Sequence, residues 1–354
     1  MTSPAPFPGV VTVAASVGLV ILTMYLLVIG EAILMPLVLA IFIAYLIAAL
    51  GHRIQRIRIG AWNPPGWLGL TAAIVTLVLA IALIAQVTAG NISDVIASAP
   101  RYQVRLQEMF TKGMGLVATF LKLDEPPTFT SLLHEINLRA VMERFAGAFQ
   151  AIAANTFQVF AYVAFLLLEM RTFDRKLKVV FGDGPHEQTV RATLSAMGRK
   201  IETYVLIKSG VSLLNAFSAF VILSLFGVDF AGFWALLSFV LNFIPYIGPP
   251  LATLFPTVLA LLQFDSLTTA AFVLGCLVAV YAIIENVIEP QITGKSLNLS
   301  PVVMIVSISL WGAIWGITGM ILSVPLMVIT MIVLAQFPKT RPIAVFMSGS
   351  GDVS

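Results

Sequence analysis

The chain has 354 residues, 59% of them hydrophobic and only 10% charged, with a mean hydropathy of +0.99. Soluble domains carry about a quarter charged residues, so this composition excludes a soluble enzyme or signalling domain and leaves a polytopic membrane protein with the lipid bilayer as its main partner. The formal charge of +3 and pI of 9.0 do not point to nucleic acid, because the basic residues flank apolar runs, where loop topology accounts for them.

Val10–Ile29 and Ala32–Leu50 read as two spans in a tight helical hairpin, joined at Gly30-Glu31. Residues 1–8 lack Lys and Arg and the first apolar run is too long for an h-region, so no signal peptide is expected. "HRIQRIRIG" follows, with Arg53, Arg56 and Arg58 marking the cytoplasmic side. Trp67–Ala89 is the third span, and residues 1–90 thus form an N-terminal group of three. Residues 91–145 turn polar, with apolar positions at helical spacing interrupted by "DEPPTFT". This amphipathic insert has no positive bias and is expected outside the cell, either as a connector or in gating or assembly. The fourth span covers 146–170. A cytoplasmic polar connector at 171–203 opens with Arg171, Arg175, Lys176 and Lys178. A C-terminal core of 204–336 and a cytoplasmic tail of 337–354 complete the chain, with both termini on the cytoplasmic side.

Tyr204–Phe226 is the fifth span, and Lys208, Ser212 and Asn215 form one polar stripe along it. Lys208 lies near the cytoplasmic end, where snorkelling would account for it, while Ser212 and Asn215 are candidates to face a cavity. Two long apolar stretches, 230–264 and 301–336, do not fit simple spans. The first is broken by "NFIPYIGPP", the second by "WGITG" and again at Pro325. Their halves are too short for a full crossing, so each is expected to be a re-entrant hairpin of broken helices, although paired short spans give the same topology. A span precedes each hairpin, which is the inverted-repeat pattern of many secondary transporters. Irregular backbone at membrane depth is tolerated only inside protein or beside a wet cavity. Asn242, Pro245, Gly248 and Pro249 therefore become candidate solute-binding residues: the breakers free backbone groups and Asn242 adds an amide.

Glu285 and Glu289 lie four apart, on one face near the end of the span Ser266–Glu285. Paired carboxylates can hold a proton or cation and are candidate ion-coupling residues, or they are solvated helix-end charges beside Lys295. Cys276 is alone and reads as packing. His52, His134 and His186 show no zinc spacing or nucleophile–base pairing, and no Walker A pattern occurs. No metal site, cofactor or enzymatic activity is expected.

Together, "NFIPYIGPPLATLFP", "EPQITGKSLNLSP" and "WGAIWGITGMILSVPL" resemble the autoinducer-2 exporter (AI-2E) transporter family across essentially the whole chain. The resemblance carries over to Asn242, Pro245, Gly248 and Pro249, to Glu289, Pro290, Gly294 and Pro301, and to Gly316 and Gly319. It implies an all-α protein of the bacterial inner membrane with about eight hydrophobic segments. It also implies export of a small polar solute by an elevator-like movement, a homo-oligomer (a pentamer) and a link to quorum sensing. Some relatives are tied instead to sodium- or lithium-for-proton antiport, which makes Na+ or H+ a second class of partner. A non-transporting membrane scaffold is a third account, but it would not need the breaker clusters.

Overall fold

A computed structural model describes residues 9–55, 138–182, 184–293 and 298–352, with isolated positions between 71 and 111. The expected third span, most of the insert and Lys295 lie outside the described residues. The described chain is helical, its only β contact being an isolated bridge between Leu299 and Ser348. The protein is thus an all-α polytopic membrane protein. Glu31–Gly51, Glu187–Leu225, Leu267–Ile292 and Pro301–Gln336 are long and apolar enough to cross a bilayer, and shorter apolar helices accompany them.

The helices are α1 (Val10–Ile29), α2 (Glu31–Gln55), α3 (Leu138–Phe181), α4 (Pro185–Leu225), α5 (Ala231–Leu241), α6 (Gly248–Phe264) and α7 (Leu267–Ile283). A π-helical turn at Ile284–Ile288 leads into α8 (Glu289–Thr293), followed by α9 (Pro301–Gln336) and α10 (Arg341–Met347). Helix α3 starts before the apolar run of the fourth span and continues past it. The polar stretch after that span is helical on both sides of a short break at 182–184. Two compact units emerge, one of residues 1–44, 158–201 and 298–354, the other of 45–157 and 202–297.

The second unit holds α5, α6, α7 and α4 from Glu202 onward. Residues 233–238 of α5 are buried without interruption, as expected of a helix that is apolar all round and packed on every side. Helix α5 rises only about 16 Å and α6 about 25 Å at 1.5 Å per residue, so neither matches a full hydrocarbon core. Between them the chain reverses over residues 242–247. Tyr246 takes a left-handed φ of 62° there, a conformation a bulky residue adopts only under constraint. Gly248 closes the reversal: a Cβ at this position would stand 1.8 Å from the Leu241 carbonyl oxygen. Only the missing side chain lets the start of α6 lie against the end of α5. Helix α7 then begins in an ordinary way, with Ser266 Oγ capping the Thr269 amide at 3.2 Å.

The first unit repeats this device with different residues. Helix α9 is broken at Trp315 and Gly316, the latter with φ 58° and ψ −142°, a region essentially reserved for glycine. A Cβ on Gly319 would stand 1.9 Å from the Trp311 carbonyl oxygen, and Ser307 Oγ donates across the two arms to the Ser323 carbonyl at 2.9 Å. Both stretches that hydropathy marked as broken are therefore helical hairpins. Two details differ from the sequence expectation. Pro325 is buried within regular helix and breaks nothing, and the second arm, 317–336, rises about 30 Å and is not short. Trp315 Nε1 donates to the Leu27 carbonyl of α1 at 3.0 Å, and the arms start from a loop clamped by the tail, where Gly349 N–H reaches the Asn298 carbonyl at 3.0 Å.

Gly248→Ala and Gly319→Ala should each destabilise the protein by about 1–3 kcal/mol or more, because backbone rather than a flexible side chain must give way. Gly275, where an added Cβ meets open space, is the control. In detergent melting experiments Gly275→Ala should leave the midpoint unchanged or raised, and the other two should lower it by several degrees.

Candidate functional site

Three helices of the second unit each carry a polar stripe with a spacing of about four, so that each stripe lies on one helix face. Helix α4 contributes Tyr204, Lys208, Ser212 and Asn215, all buried, the last two completely. Helix α5 contributes Ser238 and, at its end, Asn242, also fully buried. Tyr281, Glu285 and Glu289 follow along α7 and its π turn. In an α-helix four residues overshoot a full turn by about 40°, so such a stripe drifts around the axis. The wider π turn at 284–288 takes back part of that drift and keeps Glu289 in line. Turns of this kind are frequent at functional sites.

Asn242 is the hub. Its Oδ1 accepts from Asn215 Nδ2 at 3.0 Å and its Nδ2 donates to Ser212 Oγ at 2.9 Å. The first residue of the chain reversal is thus fixed to α4 by a side-chain amide used at both ends. One turn away along α4, Lys208 Nζ meets both carboxylate oxygens of Glu289, at 3.0 and 3.2 Å. Lys208 therefore does not snorkel but is 7% exposed and paired with a residue 81 positions away. The two charges cancel formally, and Glu285, in the electrostatic range of both, is the carboxylate left over.

Seven buried side-chain N or O atoms among the described residues lack a hydrogen-bond partner, and five are on these stripes: Tyr204 Oη, Asn215 Oδ1, Ser238 Oγ, Tyr281 Oη and Glu285 Oε1. Ser238 and Tyr281 lie within electrostatic reach of one another without the geometry of a hydrogen bond. An unpartnered buried polar group costs about 1–3 kcal/mol, so their concentration on facing stripes marks a surface built to meet a polar guest.

Of the residues singled out from sequence, Ser212, Asn215 and Asn242 come together, with Glu285 and Glu289 on the neighbouring stripe. Pro245 lies in the reversal, and Gly248 and Pro249 form the first turn of α6. Gly316 and Gly319 shape the other hairpin, in the first unit. Tyr204, Ser238 and Tyr281 were not anticipated, although each stands four residues before a polar residue already noted, at 208, 242 and 285. Among the described residues no group of three or more His, Cys, Asp and Glu could hold a metal ion.

Short paired arms, a glycine-stapled reversal and a buried face of amides, hydroxyls and one ion pair are the parts of a helical membrane transporter. The chain belongs to the AI-2E transporter family: the model described as "AI-2E family transporter" matches residues 17–339. It is similar to the AI-2 transport protein TqsA of Escherichia coli K12, at 28% identity over 322 residues and 89% of each chain. A Haemophilus influenzae protein named only as a candidate transport protein is 28% identical over 91% of this chain and 90% of its own. A Borreliella burgdorferi protein with the same description is 33% identical over 64% of this chain, and the match spans 63% of that relative.

Breaking the ion pair on one side leaves a buried charge. Lys208→Met or Glu289→Leu alone should therefore cost about 3–5 kcal/mol, and the combined variant should recover most of it. Thermal unfolding in detergent of the two single variants and the double provides the check.

Proposed function

We propose that the protein is a secondary transporter that exports a small, polar, uncharged solute, with the tip of the first hairpin gating access to the polar face of α4. The observation that carries this reading is the Asn215–Asn242–Ser212 bridge. It joins the one irregular segment of the hairpin to a face rich in unpartnered hydroxyls and amide oxygens, groups that recognise hydroxyls rather than charge. An autoinducer-2-like solute fits that chemistry, and the name of the E. coli relative supports it. Export, an elevator-like movement, residence in the bacterial inner membrane and a homo-oligomer, pentameric as in the family it belongs to, complete the proposal.

The competing account is exchange of Na+ or Li+ for H+. The free inner oxygen of Glu285 counts for it, and the pairing of Glu289 with Lys208 counts against Glu289 as the carrier. For this reason Glu285→Gln, rather than Glu289→Gln, separates the two accounts.

In proteoliposomes loaded with autoinducer-2, Asn242→Ala should slow efflux about tenfold or more, the scale set by losing two buried hydrogen bonds. Glu285→Gln should keep most of the activity. Loss of efflux in Glu285→Gln together with a normal rate in Asn242→Ala would favour ion exchange.

Orientation is tested separately, in a Cys276→Ala background. A cysteine at Ser98 should react with an impermeant maleimide in intact cells, and one at the exposed tail residue Ser350 should not, as the positive-inside pattern requires.

A further inference from the structure

The insert of 91–145 has no assigned role, yet two of its residues reach the first hairpin at the end opposite its tip. The described positions between 98 and 111 are all helical. Tyr102 lies near the surface but is only 4% exposed, and its hydroxyl donates to Asp229 Oδ2 at 2.5 Å. Asp229 sits in the short link between α4 and α5. That link is itself ordered: Gly227 N–H bonds to the Ser224 carbonyl and Val228 N–H to that of Leu223, a Schellman closure of α4. The next residue, Phe230, takes a left-handed φ of 59° to start α5.

Asp229 is also the point where the two arms of the hairpin are tied. Its amide donates to Gln263 Oε1 at 2.7 Å, and Gln263 Nε2 returns to the Gly227 carbonyl at 2.8 Å and to Asp229 Oδ1 at 3.3 Å. Gln263 belongs to the last turn of α6. The base of the hairpin is therefore closed by Asp229 and Gln263 and its tip by Gly248 against Leu241. Between those two closures α5 is an eleven-residue rod buried along most of its length. A displacement of the base is carried to the tip, because nothing between them can bend cheaply. Arg101 adds little, being mostly exposed and 3.9 Å from Asp229; its guanidinium lies over the Tyr102 ring at 5.3 Å.

We infer that Tyr102, Asp229 and Gln263 form a latch through which the insert holds the base of the first hairpin and so sets how readily its tip opens. The carboxylate is shared between the two partners, one oxygen for each, so neither contact can be lost without loosening the other. Burial first, and then the Asp229 carboxylate, push the Tyr102 hydroxyl up to about 12. It remains a donor at physiological pH. The latch is complete below the ordinary tyrosine value of about 10 and is lost only as pH rises through about 12.

The latch needs only that the tip moves, as in the proposed transport cycle, and it is tested on the tip itself. In full-length protein in lipid nanodiscs, with Cys276→Ala, a reporter Ile247→Cys at the exposed tip is labelled with N-ethylmaleimide and followed by mass spectrometry. Ile305→Cys, exposed on the first arm of α9, is the control. Tyr102→Phe keeps the ring and removes one charge-assisted hydrogen bond, and should raise the labelling rate at 247 by about three- to tenfold with no change at 305. Asp229→Asn should do the same, and the double variant should be no faster than Asp229→Asn alone. An oxidised Tyr102→Cys, Asp229→Cys pair should slow labelling below the parent. An unchanged rate at 247 in Tyr102→Phe, an equal rise at 247 and 305, or effects that multiply in the double variant would each overturn the latch. Unaltered solute efflux with faster tip labelling would leave the latch standing and count against the tip as the transport gate.

Discussion

A single buried amide decides where the first hairpin can be. Asn242 ends α5, begins the chain reversal and spends both ends of its side chain on α4, one on Ser212 and one on Asn215. In an apolar surrounding, leaving those groups unpaired costs far more than in water, so the tip has one well-defined position against α4 and not a range of them. The polar face is legible as a site because of this: the stripes of Lys208 to Asn215 and Tyr281 to Glu289 would otherwise be separate polar incidents on separate helices. The same economy explains why the ion pair stands one turn away. It absorbs the lysine charge without intruding on the amide bridge.

The two hairpins reach the same backbone solution by unrelated sequences. One places a glycine against the carbonyl of Leu241, the other against that of Trp311. One reversal is built from prolines and a left-handed Tyr246, the other from a single glycine with φ 58°. Apolar side chains in both are chosen for close packing, which is the main force holding helices together where lipid is as apolar as the protein interior. The exposed apolar residues of α1, such as Leu19, Ile21 and Leu22, carry no penalty in such a setting.

Much of this was readable from sequence because breakers in an apolar run are expensive and so stand out. The six residues from Pro245 to Pro250, the "WGITG" turn, and polar residues such as Ser212, Asn215 and Asn242 all announce themselves in that way. What was hidden depends on partners distant in sequence. Lys208 looks like a snorkelling side chain until Glu289, 81 residues later, comes beside it. Tyr204, Ser238 and Tyr281 pass for ordinary packing, since a hydroxyl on an amphiphilic or small side chain is no anomaly in a core. Pro325 misled in the other direction: its lost hydrogen bond is tolerated within a packed helix, and its own φ is helical. The amphipathic insert could be recognised as helical, but its contact with Asp229 has no local signature.

The π turn at 284–288 turns chain length itself into a structural variable. It accommodates one residue more than an α-helix would over the same rise. A relative lacking one residue there would close the turn to regular helix, and everything beyond it would rotate by about 100° about the axis. Glu289 would then leave Lys208, although no side chain of the pair had been altered. Spacing between Tyr281 and Glu289, rather than the identity of the residues between them, is thus what the ion pair holds fixed, and a one-residue gap in this segment would mean more than most substitutions within it.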